Sequence, residues 1–422
     1  MQLKLFFYII SLKLKLFKYN LYLLGEKKLK ILHTADWHLG AKTDGKNRLD
    51  EQKKVMAEIV DVAIKNKVRI VIISGDIFDQ AIPTSEAENL FFETLEALTK
   101  DNSRVVLVIA GNHDDPRRLS AGGPFAKKHN CIIAGDLKPI VEEKDFDGGR
   151  LSSPAPGSVL VEVKTNKGKE KCVVAMLPYP QEYRFGETSK DVPYPEKVQE
   201  WARIVTKGFQ KDSVNILATH IMLVGSTANI NGEEKELRVG DINALSKSDL
   251  PTADYYALGH IHSFQNLKGN YCYSGSPCFY DFKQKTAGVV LIDTNAKHGI
   301  KDIEYYQLKT PAKMVEVEYG GMAEASEKLK VFEDSDIVNL TIVQDEPLSR
   351  NDIKSIKQNF PCVTRVMLRP KTPNLDPVNY INNRKSLSEE KLFIEFYKQK
   401  KCVEPTREVV ALFKELMEDK VR

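Results

Sequence analysis

Val68-Arg69-Ile70-Val71-Ile72-Ile73-Ser74-Gly75-Asp76-Ile77-Phe78-Asp79 decides the fold. A near-continuous β-branched run has no polar face to offer water. Val68 to Ser74 therefore reads as a strand covered on both sides, the habit of parallel sheets. Helical text flanks it: Glu51 to Asn66 sets Val55, Ile59 and Val62 on one face, and Ser85 to Thr99 reads as a second helix. Lys30 to Ala35 and Arg104 to Ala110 are further strands, followed by Lys171 to Leu177, Val214 to Thr219, Tyr255 to Leu258 and Gly288 to Asp293. This rhythm predicts an α/β fold with layered sheets.

Five of the eight histidines lie where those strands give way to loops. The motifs are Asp36-Trp37-His38, Gly75-Asp76, Gly111-Asn112-His113-Asp114, Thr219-His220 and Gly259-His260-Ile261-His262. Sheets of this kind bind ligands at the carboxyl ends of their strands, and imidazole, carboxylate and carboxamide groups hold divalent metals. The number of donors points to two ions sharing a site. Asp76, at a glycine turn after a buried strand, is the natural bridge. Asp36 and His38 reach one ion together, neutral Asn112 suits the second, and His260 and His262 address different ions. His113 is the candidate general acid for the leaving oxygen. His33 lies inside a strand and His129 and His298 in polar segments, so all three read as structural. Asp114 and Asp115 read as turn groups or as supports for the ligands.

Gly40-Ala41-Lys42-Thr43-Asp44-Gly45-Lys46 matches most of a phosphate-binding loop, but Asn47 stands where Ser or Thr is needed. It reads as a flexible loop beside the site, with no ATP binding.

A chain of 422 residues predicts two or three domains. Its net charge of +4 carries no whole-chain signature of nucleic-acid binding, so any such surface is local. Cys131, Cys172, Cys272, Cys278, Cys362 and Cys402 form no CxxC pair, which argues against a zinc site or a disulfide frame and for reduced thiols in a cytoplasmic protein. Residues 1–28 are apolar but broken by Lys4, Lys13, Lys15 and Lys18, and fit neither a spanning helix nor a signal peptide. The expectation is an extension ahead of a true start at Leu29.

The character changes after Thr310 and Pro311. Met314 to Tyr319, Ala323 to Glu333, Ile337 to Gln344, Asn351 to Phe360 and Val363 to Leu368 read as a smaller β-α-β-α-β unit. Pro370, Pro373 and Pro377 mark a linker. Two helices close the chain, one opened by a Ser386–Glu389 capping box and carrying Leu392, Phe393, Phe396 and Tyr397, the other starting near Pro405 and carrying Val409, Val410, Phe413, Leu416 and Met417.

These motifs resemble the calcineurin-like metallophosphoesterases. Ile31-Leu32-His33-Thr34-Ala35-Asp36-Trp37-His38-Leu39-Gly40, Ser74 to Asp79, Gly111 to Asp114, Glu236 to Gly240, Ala257 to His262 and Tyr273 to Pro277 are similar to the SbcD family, the nuclease subunits of bacterial SbcCD complexes. The resemblance implies a layered αββα sandwich over 29–310, a small α/β DNA-capping domain over 311–370, a linker over 371–385, and helices 386–422 docked on the partner ATPase. It implies two manganese ions, one on Asp36, His38, Asp76 and His262 and the other on Asp76, Asn112, His220 and His260, with His113 assisting the leaving group. Archaeal and eukaryotic relatives often carry histidine where Asp79 stands; Asp79 fits the bacterial pattern. The implied activity is duplex 3'-5' exonuclease and single-strand or hairpin endonuclease action in DNA end processing, recombination and repair. The implied partners are DNA, an SbcC-type ATPase and a second copy of the chain within a heterotetramer, away from membranes. Arg117 and Arg118, just after the Asn112-His113 motif, are candidate DNA-phosphate contacts.

A metallophosphatase or cyclic-nucleotide phosphodiesterase would use the same metals. Protein phosphatases of the superfamily, however, carry an arginine soon after the Gly-Asp motif, where this chain has Ile77-Phe78-Asp79-Gln80-Ala81, and the C-terminal additions have no use in a small-molecule enzyme. A non-catalytic DNA-end clamp would not need a complete ligand set.

Overall fold

A computed structural model describes residues 29–99, 102–136, 141–165, 168–181, 192–230, 233–236, 244–295, 299–309, 311–371, 389–401 and 403–418. The leading segment, residues 237–240, His298, most of the linker, Ser386 and Cys402 lie outside the described residues. The chain divides into two compact units between Met314 and Val315.

The first unit holds two large sheets. In the six-stranded sheet, Lys30–Thr34, Ile70–Ser74, Val105–Ile109 and Cys131–Ala134 run parallel, and Gly288–Asn295 and Gly299–Gln307 extend it antiparallel beyond Lys30–Thr34. In the eight-stranded sheet, Gly168–Leu177, Val214–His220, Tyr255–Gly259 and Tyr271–Tyr273 are parallel, and antiparallel strands cover both margins.

Side-chain alternation explains the β-branched run. Ile70 and Ile72 point between the sheets, where they meet Val174, Ile216 and Tyr255. Val71 and Ile73 point outward, under Val55, Ile59 and Val62 of helix Leu49–Lys65 and Phe91 and Leu95 of helix Ser85–Thr99. Each such buried branched side chain contributes about 1.5–3 kcal/mol. Helix Tyr194–Val205 lays Val198, Ala202 and Val205 on the far face of the second sheet, against Ala175, Leu177 and Leu217. The layers are helix, sheet, sheet, helix.

Several elements escape the sequence reading. Lys144–Phe146, Gly149–Ser152, Ser158–Thr165 and Gly299–Gln307 are antiparallel strands, and Tyr194–Val205 is a helix. The phosphate-loop-like stretch, expected as a flexible loop, is a small hairpin. Lys42–Thr43 pairs with Lys46–Asn47, and Asp44 and Gly45 have φ of 48° and 84°. Positive φ at both central residues is the type I′ signature.

In the second unit Met314–Tyr319, Ile337–Val343 and Val363–Arg369 form a three-stranded sheet whose last two strands are parallel. Ala325 and Leu329 follow one strand and Ile356 of helix Arg350–Asn359 precedes another, all packed on Val338, Leu340 and Ile342. Helices Glu389–Lys401 and Arg407–Glu418 pair through Phe393 stacked on Phe413 at 4.1 Å and a Glu390–Lys414 ion pair at 3.0 Å. Phe396, Leu412 and Leu416 stay exposed. Among the described residues no helix is long and apolar enough to cross a membrane, and Cys131, Cys172, Cys272, Cys278 and Cys362 are free and buried.

Candidate metal centre

The carboxyl ends of both parallel sets meet at one edge of the sandwich. Two glycines make the approach close enough. A side-chain carbon at Gly259 would collide with the Ser74 carbonyl, and one at Gly75, whose φ is 91°, would collide with the His220 ring. The Ser74 hydroxyl donates across the gap to the Ala257 carbonyl at 3.0 Å.

Backbone strain concentrates here. Asp36, His38, Asp76 and His260 have φ of 54°, 44°, 50° and 97°. L-residues rarely adopt that region, at a cost of about 1–3 kcal/mol each, and they persist there only when neighbours hold them. The holding bonds are visible. Asp36 N–H donates to the Gly75 carbonyl at 3.0 Å, His38 N–H to the Asp76 carbonyl at 3.0 Å and Leu39 N–H to the Ile77 carbonyl at 2.9 Å. His260 N–H donates to both Asp36 oxygens, at 3.0 and 3.2 Å.

All seven donors anticipated from the sequence are brought together. Asp36, His38 and His262 form one cluster and Asp76, His220 and His260 another, each with its donor atoms within 4.8 Å of one another. Asp76 joins them: its Oδ2 lies 3.6 Å from His38 Nε2 and 3.3 Å from His220 Nε2. Asn112 Oδ1 is 3.0 Å from His220 Nε2 and 2.8 Å from His260 Nδ1. His220 Nδ1 donates to the Ser74 carbonyl at 2.8 Å, which aims Nε2 inward.

Three of the imidazoles suit cations as they stand, while His220 carries a proton that a cation would displace. Burial lowers His38 well below the usual imidazole range; it also lowers His260, with help from His220, to about 3, and His262 to about 4, so these rings are neutral with free lone pairs. Burial raises Asp36 to about 7. Against burial, His220 and its neighbours hold Asp76 below the usual carboxylate range, and Asp76 and Asp36 in turn lift His220 to about 9. His38 Nε2 and His262 Nε2 face each other at 3.1 Å. Two neutral imidazoles that close have opposed lone pairs unless a proton or a cation lies between them. The donor set fits two divalent ions.

His113 is exposed at the rim, its ring edge-on to His38 at 4.8 Å. Its Nδ1 lies 2.8 Å from the Asp79 carbonyl. A carbonyl only accepts, so Nδ1 carries the hydrogen and Nε2 is the nitrogen left for proton delivery. Asp79 also places a carboxylate oxygen 3.8 Å from His38 Nδ1. Arg117 and Arg118 lie in the short helix Pro116–Ser120, whose N-cap is Asp115; Arg118 pairs with Glu88 at 2.8 Å and Arg117 is exposed. His33 is buried between the sheets, with Nδ1 3.0 Å from the Tyr255 hydroxyl, and His129 caps a short helix and stacks on Phe125 at 4.3 Å.

Asp114 does more than turn the chain. Its buried carboxylate accepts from Gly111 N–H at 2.8 Å, Ile77 N–H at 3.1 Å and Phe78 N–H at 3.0 Å, tying the Asp76 loop to the Asn112 loop. Gln52, Tyr179 and Tyr280, none of them singled out by motif, also adjoin the site. Nothing local marks them, since their contacts are tertiary.

Comparison with known proteins agrees with this geometry. The profile of the calcineurin-like phosphoesterases matches residues 29–264. The SbcD subunit of the SbcCD nuclease of Bacillus subtilis (strain 168) is 30% identical over 410 residues, covering 92% of this chain and 97% of the relative. Its counterpart in Staphylococcus epidermidis (strain ATCC 12228 / FDA PCI 1200) is 27% identical over 281 residues, covering 66% of this chain and 67% of the relative. The chain belongs to the calcineurin-like phosphoesterase family and, within it, to the SbcD nuclease subunits. It is a metal-dependent phosphodiester hydrolase.

Proposed function

We propose that this chain is the nuclease subunit of an SbcCD-type complex, cutting DNA phosphodiesters with two manganese ions in DNA end processing. Asp36, His38, Asp76 and His262 would hold one ion, and Asp76, Asn112, His220 and His260 the other. The observation that carries this reading is Asp76, whose Oδ1 accepts the His113 N–H at 2.9 Å while Oδ2 faces histidines of both clusters. Divalent ions there supply Lewis-acid charge to the phosphodiester.

The chain's own groups do the rest. Asp76, fixed by its bond to His113, keeps both halves of the site in register. The Asp79 carbonyl holds Nδ1–H of the His113 ring, so the doubly protonated imidazolium gives its Nε2 proton to the departing oxygen and is left as the neutral Nδ1–H ring. Arg117 and Arg118 steer the DNA backbone toward the rim.

An SbcC-type ATPase is the partner, and the chain acts as a homodimer within a heterotetramer in the cytoplasm. The exposed Phe396, Leu412 and Leu416 support docking of the C-terminal helices on that partner's coiled-coil base. The three-stranded unit serves as the DNA-capping domain.

The test is degradation of linear duplex DNA by the full chain co-purified with a partner ATPase, with manganese and ATP. Loss of cleavage in His113→Ala is expected; equal cleavage by both proteins overturns the assignment of the acid. Removal of residues 383–422 is expected to abolish co-purification, and retained co-purification overturns the docking role.

A further inference from the structure

His38 and His262 reach the centre from different sheets, and the side chain of Tyr280 adjoins both. The Tyr280 ring stands edge-on to His38 at 5.3 Å and to His262 at 5.8 Å between centroids. Its hydroxyl donates to the Trp37 carbonyl. Gln52, fully buried on helix Leu49–Lys65, works on the same few peptides. Its Nε2 donates to the His38 carbonyl at 2.8 Å and to the Tyr280 hydroxyl at 2.9 Å, and its Oε1 accepts from Gly40 N–H at 2.9 Å.

The backbone on either side of His38 is thus gripped at the Trp37 carbonyl, the His38 carbonyl and the Gly40 amide. His38, with its φ of 44°, is one of the strained residues that need outside support. The grip is anchored in turn. The Arg48 guanidinium lies 5.1 Å from the Tyr280 ring centre and is buried in a two-bond pair with Glu51, at 2.9 and 2.8 Å. Gln284 Oε1 accepts the Tyr280 N–H at 3.0 Å. His220 and His260 have a different aromatic neighbour, Tyr179, at 6.0 and 6.1 Å. The Gln52–Tyr280 arrangement therefore belongs to one half of the centre.

We propose that Tyr280 and Gln52 are positioning residues for one of the two cations, holding His38 through its backbone and His262 through the Tyr280 ring. This rests on the two-ion reading above. A ligand whose supporting contacts are lost pays the ordering cost at each binding event, so the effect falls on the affinity of that ion.

The test is calorimetric titration of Mn2+ into metal-free, full-length protein. Wild type is expected to show two binding events. In Tyr280→Phe and in Gln52→Glu one event weakens by about 10- to 100-fold and the other is unchanged, the usual scale for loss of a ligand's support. Tyr280→Leu, which also removes the ring, weakens that event further. With saturating Mn2+ the Tyr280→Phe kcat on linear duplex DNA recovers, and KM for DNA does not move. Wild-type affinity for both ions in the variants, even with a lowered melting temperature, overturns the proposal, and so does equal weakening of both events. A wild type that binds fewer than two ions removes the two-ion reading itself, and this inference with it.

Discussion

The backbone amide of His113 donates to Oδ1 of Asp76 at 2.9 Å, so the residue assigned to proton delivery also fixes the carboxylate that joins the two clusters. The bond comes from the main chain and survives any change of the His113 side chain. His113→Ala is therefore expected to lower kcat by about 10²–10⁴-fold, the range of general acid catalysis, and to leave both Mn2+ binding events in place. Parallel loss of metal binding would mean that the imidazole is a ligand.

Asp114 clamps the two loops that present Asp76 and Asn112. In Asp114→Asn one oxygen is replaced by an amide that cannot accept, and a buried N–H of Gly111, Ile77 or Phe78 loses its partner. The expected cost is about 1–3 kcal/mol in urea unfolding of the metal-free protein. An unchanged midpoint would show that the loops hold their conformation without the clamp.

His33 gives the first unit a dependence on acid. Burial pushes its imidazole from 6.5 to about 3, so the folded form keeps it neutral while the unfolded chain takes up a proton below 6.5. The stability it contributes is complete above 6.5 and is lost as pH falls toward 3, with a slope of about 1.4 kcal/mol per pH unit. His33→Gln, which can still bond the Tyr255 hydroxyl, is expected to flatten the stability–pH curve by about that slope. Identical curves for the two proteins would mean that His33 is protonated in the folded state.

The strand ends were legible because chemistry and pattern coincide there. Val68 to Ser74 shows its double burial in composition, and polar donors directly after an apolar strand have few structural uses. Helix Ser85–Thr99 was legible to the residue from its apolar spacing. Several antiparallel strands were not, because Lys144–Phe146 and Gly149–Ser152 are short and Gly299–Gln307 is largely polar, so none of the three shows a continuous apolar run. The hairpin at Lys42–Asn47 was hidden by its likeness to a phosphate loop, although Asp44-Gly45 is a turn dipeptide in its own right. Asp114 read as a turn group or a support for the ligands, and which of the two was hidden because the amides it bonds at Ile77 and Phe78 come from another loop. Gln52 and Tyr280 are 228 residues apart, and no local spacing announces a contact made across that distance.

Everything proposed for the site depends on two ions, bridged through Asp76, being needed for DNA hydrolysis. The decisive experiment titrates Mn2+ into metal-free, full-length protein while bound metal and release of nucleotides from linear duplex DNA are followed together. Hydrolysis is expected to rise with the second ion bound, and Asp76→Asn to lose both hydrolysis and paired binding. Full activity with one ion bound, or hydrolysis at the wild-type rate by Asp76→Asn, would contradict the two-ion site.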